Sequence, residues 1–270
     1  MEFIMDDGVY SYEIYGEGPP VVLLHGFTSS SATWSSFVSE YKSAFQLIVI
    51  DLPGHGQTKL QSPRNMATCC EDLQQILTHL NVSSFHLVGY SMGGRTALSF
   101  ALTYPEMVKS LILESSSPGL ATEKERRERI TNDERLAQCI EREGVKSFVN
   151  YWEDIPLFRT QKKLPKSVQE AIRKERLGQT KTGLANSLRY MGTGKQPSWW
   201  EQLSHFKKPV LLIVGEHDAK FINFNQQMKK RFPISSLEIV PRAGHAIHVE
   251  QPKIFGKLVS RFIEQQEEQM

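Results

Sequence analysis

The chain has 270 residues, 40% hydrophobic and 23% charged, a globular profile with room for one large domain or a core plus a smaller insert. Its 32 basic and 30 acidic residues leave a formal charge of +2 spread along the chain, which gives no case for a nucleic-acid partner or an anionic membrane surface. No apolar run approaches the roughly 20 residues that a membrane span needs.

The first residues, Met1 to Asp7, lack the basic stretch and apolar core of a secretory signal, so a cytoplasmic protein is expected. Val21-Val22-Leu23-Leu24 then runs into His25-Gly26, and Leu47-Ile48-Val49-Ile50 runs into Asp51-Leu52-Pro53-Gly54. Phe85-His86-Leu87-Val88 precedes Gly89, and Leu111-Ile112-Leu113 precedes Glu114-Ser115. Each is a short apolar run stopped by Gly, Pro or a polar residue, the pattern of a strand buried on both faces. Met66–Leu80 and Thr96–Tyr104 between them carry helical spacing. The cysteines, Cys69, Cys70 and Cys139, form neither a disulfide framework nor a metal-ligand pattern and read as reduced thiols.

From 118 to 204 the strand signal disappears. Lys124–Arg142 is heavily charged, Val145, Phe148, Val149 and Trp152 share one helical face, and Val168/Ile172 and Leu184/Leu188/Met191 repeat that spacing. Strand-like Val210–Val214, helical Asn225–Phe232, strand-like Leu237–Val240 and helical Pro252–Gln265 follow. The expected fold class is α/β, with a mostly parallel sheet and right-handed crossovers. Residues 1–117 and 205–270 would form the core and 118–204 a helical cap. Such a cap is well placed over the carboxyl ends of the strands, where ligands of open α/β sheets bind.

Gly89-Tyr90-Ser91-Met92-Gly93 fits G-x-S-x-G in the context that motif requires, a buried strand before it and a helix after it. The sharp turn would present the Ser91 hydroxyl at the sheet edge, and the Met92 N–H would face a developing oxyanion. A second donor would be the Phe27 N–H, from the loop after Val21–Leu24. A serine hydroxyl needs a base, and the base an orienting carboxylate. In chain order these are Asp218, after the next-to-last strand, and His245, after the last. Glu216 and His217 compete with Asp218, and His248 with His245. His25 and His55 read as loop-shaping hydrogen-bonding residues, and His79, His86 and His205 as structural. Arg95, four residues after Ser91, shares its helix face. A permanent cation there suits a substrate carboxylate; the alternative is a salt bridge that shapes the site.

Gly89-Tyr90-Ser91-Met92-Gly93-Gly94-Arg95, with His25-Gly26-Phe27, Trp34, Asp218-Ala219-Lys220-Phe221 and the segment from Gly244 to Pro252, resembles the 2-succinyl-6-hydroxy-2,4-cyclohexadiene-1-carboxylate synthase family of menaquinone biosynthesis. The resemblance extends over nearly the whole chain, insert included. The triad segments would suit many α/β-hydrolases; the serine motif ending in Arg, the Asp-x-Lys-Phe segment and the basic insert are more selective. The resemblance implies an α/β-hydrolase fold and a lyase that eliminates pyruvate from a small polycarboxylate, with no cofactor or metal. Ser91, deprotonated by His245, would serve as general base, and no acyl-enzyme would form. Tyr90, Arg129, Trp152 and Arg176 match substrate-binding positions of the family, with Arg126, Arg127 and Arg173 as competitors for the arginine positions. A serine hydrolase, either an esterase or a carbon–carbon-bond hydrolase, is the alternative, followed by a non-catalytic receptor-like member of the fold. Ser rather than Asp at the elbow sets aside haloalkane dehalogenases and epoxide hydrolases.

Overall fold

The apolar runs become one mostly parallel sheet in the computed structural model, which describes residues 1–269. Its strands are β1 (Glu2–Met5), β2 (Gly8–Tyr15), β3 (Pro20–Leu24), β4 (Gln46–Ile50), β5 (Lys59–Leu60), β6 (Phe85–Tyr90), β7 (Val108–Glu114), β8 (Val210–Gly215) and β9 (Ser235–Val240). Their spatial order is β1-β2-β4-β3-β6-β7-β8-β9, with β5 paired to β2. β2 runs antiparallel to β1 and β4; from β4 through β3 and β6 to β9 every pairing is parallel.

The helices are α1 (Ser35–Tyr41), α2 (Met66–His79), α3 (Met92–Thr103), α4 (Glu123–Trp152), α5 (Lys166–Leu177), α6 (Lys181–Met191), α7 (Ala219–Lys229), α8 (Ile247–Glu250) and α9 (Pro252–Glu267). Side chains alternate across a strand, and both faces of this sheet are covered. Val22 and Leu24 of β3 join Cys69, Leu73, Leu98 and Phe100 of α2 and α3 in one core. Val21 and Leu23 join Phe37 of α1 and Phe255 and Val259 of α9 in the other. That double burial is why these strands read as unbroken apolar runs. Among the described residues no helix is long and apolar enough to cross a membrane.

Two helices depart from their sequence-based bounds. α3 begins at Met92, before Thr96, because Gly93 and Gly94, poor helix formers in isolation, sit where the helix presses on β3 and β6. α7 begins at Ala219, because Phe221, Phe224 and Met228 supply a helical stripe that starts earlier than Asn225. α4, α5 and α6 lie between β7 and β8 in the chain. α4 is two helical stretches broken at Gly144, whose φ of 83° and ψ of 169° are non-helical. Ala137, Ile140, Phe148, Val149, Leu184, Ala185 and Leu188 form a core for this insert, and Phe27 packs against it. Glu175 of α5 accepts from Ser30 N (2.7 Å) and Ser30 Oγ (2.9 Å), and Gln179 Oε1 accepts from Gly56 N (3.0 Å). These bonds dock the insert on the loops after β3 and β4.

Candidate active site

Ser91 sits between β6 and α3 with φ 51° and ψ −105°, a conformation unfavourable for a residue with a side chain. The surroundings enforce it. Ser91 N donates to Glu114 O at 2.9 Å. A Cβ on Gly89 would lie 2.4 Å from Gly93 O, and one on Gly93 would lie 2.1 Å from Leu24 O, so only glycine lets strand and helix meet this closely. The same contact brings the start of α3 against the end of β3. Met92 N, among the first N–H groups of α3, and Phe27, on the β3 loop, thus border the same space beside Ser91.

His245 Nε2 is 2.9 Å from Ser91 Oγ, and His245 Nδ1 is 2.6 Å from Asp218 Oδ2. A carboxylate accepts only, so Nδ1 donates to it and the Nε2 lone pair is left facing the serine hydroxyl. The competitors are accounted for elsewhere. Glu216 is exposed, and its Oε2 accepts from Arg242 N at 2.8 Å; His217 is exposed as well. His248 Nδ1 donates to Glu114 (2.9 Å), its Nε2 meets Thr33 Oγ1 (2.8 Å), and its ring lies 4.6 Å from that of Trp34. His25 Nε2 accepts from Leu52 N at 2.9 Å, and His55 Nδ1 donates to Pro53 O at 3.0 Å, so both shape loops. Burial, reinforced by His25, pushes the His55 pKa down to about 3 and keeps that ring neutral.

A cavity of about 870 Å³ opens in front of Ser91 and His245, beneath the insert. Tyr90, Arg95, Arg129 and Trp152 all reach its wall. Arg95 is buried, and its Nη1 donates to Met191 O (2.9 Å) and Gln196 Oε1 (2.8 Å). Both acceptors are neutral, and among the described residues no carboxylate pairs with Arg95, so the salt-bridge alternative does not hold. Burial, then repulsion from Arg129, lowers the Arg95 pKa to about 9, which leaves it a cation at neutral pH. Arg129 Nε donates to Asp133 Oδ1 at 2.7 Å. Trp152 offers a buried Nε1 donor that has no partner among the described residues.

Arg176 lies one layer back. Its guanidinium sits 4.6 Å over the ring of Phe158, and Phe158 is the residue that borders the cavity. Arg176 Nη2 donates to Gln161 Oε1 (3.0 Å), and Nη1 is 3.7 Å from Glu153 Oε1. Arg126, Arg127 and Arg173 stay off the cavity wall; Arg173 is bound to Glu153 and Asn150.

The wall also includes Asp133, Arg135, Lys220 and Phe221, to which sequence reading assigned no role in the site. Asn132, Asp133 and Leu136 follow Arg129 at i+3, i+4 and i+7, so helical spacing from Arg129 was a usable signal for that face. Lys220 stands in the Asp-x-Lys-Phe segment, and the Phe221 ring lies 4.7 Å from that of His245. Four cations (Arg95, Arg129, Arg135 and Lys220) and several aromatic rings around a serine–histidine pair suit a flat or cyclic ligand that carries more than one carboxylate. Among the described residues no group of His, Cys, Asp or Glu side chains is arranged to hold a metal ion.

Residues 19–252 match the family described as alpha/beta hydrolase fold. A Bacillus subtilis (strain 168) protein provisionally named 2-succinyl-6-hydroxy-2,4-cyclohexadiene-1-carboxylate synthase is 50% identical over 266 residues, which is 96% of either chain. The synthase of that name from Salmonella agona (strain SL483) is 31% identical over 87% of this chain and 89% of its own. Among solved structures, MenH from S. aureus superposes with a TM-score of 0.91 at 35% identity, covering 97% of this chain and all of the other.

Proposed function

The chain belongs to the 2-succinyl-6-hydroxy-2,4-cyclohexadiene-1-carboxylate synthase family, lyases of menaquinone biosynthesis with the α/β-hydrolase fold, and on that premise we propose how its residues carry out the elimination of pyruvate. The substrate is 2-succinyl-5-enolpyruvyl-6-hydroxy-3-cyclohexene-1-carboxylate. Ser91, His245 and Asp218 act together as a general base. As the Ser91 proton passes to His245 Nε2, Ser91 Oγ takes the ring proton next to the succinyl ketone. The C–H electron pair moves into an enolate, whose oxygen rests on the N–H groups of Phe27 and Met92. The enolate then collapses through the ring double bond, and the ring C–O bond breaks with its electron pair. Enolpyruvate departs as its enolate and is protonated to pyruvate, His245 Nε2 giving up the proton it received, and the ring keeps two conjugated double bonds. No water is consumed and no acyl-enzyme forms.

An oxyanion hole serves an enolate for the reason it serves a tetrahedral intermediate, since both concentrate negative charge on one oxygen. Arg95 and Arg129 receive carboxylates of the substrate, Tyr90 and Trp152 shape the wall around the ring, and Arg176 acts from behind Phe158. The observation that carries this reading is Arg95, a buried cation on the cavity wall with no carboxylate partner among the described residues. An esterase of neutral acyl groups has no use for that charge. Purified protein should release pyruvate from the enolpyruvyl substrate and turn over simple aryl esters poorly; rapid ester hydrolysis without pyruvate would overturn the proposal.

A further inference from the structure

The way Arg95 is held is as informative as its position. Gln196 comes from the segment after α6, is 1% exposed, and places Oε1 2.8 Å from Arg95 Nη1. Having turned its oxygen to the guanidinium, it leaves Nε2 buried with no partner among the described residues. An orphaned buried donor costs stability, and buried side-chain amides normally avoid it. A carboxylate at this position would leave a second oxygen where Nε2 now lies, but it would give the already buried Arg95 a charge-assisted bond, and that gain favours glutamate over glutamine for folding. Arg95 is the kind of residue that would gain from it, being desolvated and repelled by Arg129. The acid whose field it feels, Asp133, is already bound to Arg129 at 2.7 Å. The other acceptor, Met191 O at 2.9 Å, is neutral too.

We propose that Gln196 is a positioning residue that fixes Arg95 through a neutral acceptor, so that the guanidinium is aimed but its charge is left for a carboxylate of the ligand. The inference rests on the reading of Arg95 as a ligand-binding residue. Both acceptors lie at the exit of the helical insert, so the insert that covers the cavity also aims the cation borne by α3.

The test is the pyruvate-release assay, with Tm recorded, on wild type, Gln196→Glu, Gln196→Met, Arg95→Met and the Arg95→Met/Gln196→Met double variant. Gln196→Glu should keep or raise Tm yet raise KM about tenfold or more, with a smaller fall in kcat, because its carboxylate competes with that of the substrate. A merely structural role predicts the opposite, since a tighter grip on Arg95 would leave KM alone. KM for Gln196→Glu within about twofold of wild type, with Arg95→Met clearly raised, would sink the Gln196 inference and spare the Arg95 reading. An unchanged KM in Arg95→Met would sink both. Should Gln196→Glu fail to fold, the cycle decides: the KM penalty of Gln196→Met should vanish when Arg95 is already Met, and additive penalties would overturn the proposal.

Discussion

Replacing Asp218 with Asn removes one charge from the centre of the site and little else. The Asp218–His245 pair is buried, with side-chain exposures of 5% and 2%, and the contact is 2.6 Å. In the proposed reaction His245 becomes an imidazolium, so the substitution deletes the attraction between a carboxylate and a cation whose charge centres lie about 4 Å apart. At an effective dielectric near 20 that attraction is about 4 kcal/mol, or about a thousandfold in rate. If the new amide turns its NH2 toward Nδ1, the imidazole is driven to the tautomer that carries its proton on Nε2, and the loss grows toward about 10⁴-fold. Glu216→Gln is the control. That side chain is exposed and only accepts from Arg242 N, so activity should change by less than about twofold. Both variants are assayed by coupling pyruvate release to its reduction by lactate dehydrogenase and following NADH. A loss of less than about tenfold in Asp218→Asn, or a larger loss in Glu216→Gln, would refute the assignment of the acid.

Cys69 and Cys70 lie buried in the core, where burial pushes Cys70 up to about 12 and Cys69 up as well. Cys139 is partly exposed and borders the cavity. A thiol reagent should therefore label the native protein at Cys139 alone and all three thiols after denaturation; native labelling of Cys69 or Cys70 would contradict the packing. Acid should unfold the protein partly through buried imidazoles. Burial lowers the pKa of His25, His55 (to about 3) and His86, so below about pH 6.5 the unfolded chain binds protons that the folded chain does not. Stability is then lost as pH falls, with His55 alone contributing up to about 1.4 kcal/mol per pH unit below about pH 6.5 and His25 and His86 acting in the same direction, so Tm should fall between pH 7 and pH 5. His55→Gln should flatten that slope by up to about 1.4 kcal/mol per pH unit; a Tm indifferent to pH, or an unaltered slope in the variant, would show that these rings do not control it.

The buried strands and the elbow were legible because their signals are local. Val21–Leu24 and Leu47–Ile50 read as strands, since helices on both sheet faces demand unbroken apolar runs. The glycines around Ser91 mark a contact that only glycine permits. Antiparallel β1 and β2 went unread because they form the partly exposed end of the sheet, β1 at its edge and β2 between β1 and β4. β1 buries alternate residues only partly, and its apolar pattern is correspondingly thin. In the site, Asp218 and His245 were legible from their places after β8 and β9. His248 could be separated from His245 only in three dimensions, where Glu114, Thr33 and Trp34 occupy it. Arg95 was legible as a cation beside the serine. Nothing local could reveal that its partners would be Met191 O and Gln196, about a hundred residues further on, because that contact exists only once the insert is docked. Arg176 illustrates the same limit: matching a position in the chain does not say whether a guanidinium touches the cavity or backs an aromatic ring.

The central claim is that Ser91 removes a ring proton and is never acylated. It is tested most directly under single-turnover conditions, with substrate deuterated at the ring carbon next to the succinyl ketone. Wild type should release pyruvate more slowly from the deuterated substrate than from the protiated one, Ser91→Ala should lose the reaction, and mass spectrometry of the quenched enzyme should show unmodified Ser91. Equal rates for the two substrates together with an acyl adduct on Ser91 would contradict the account.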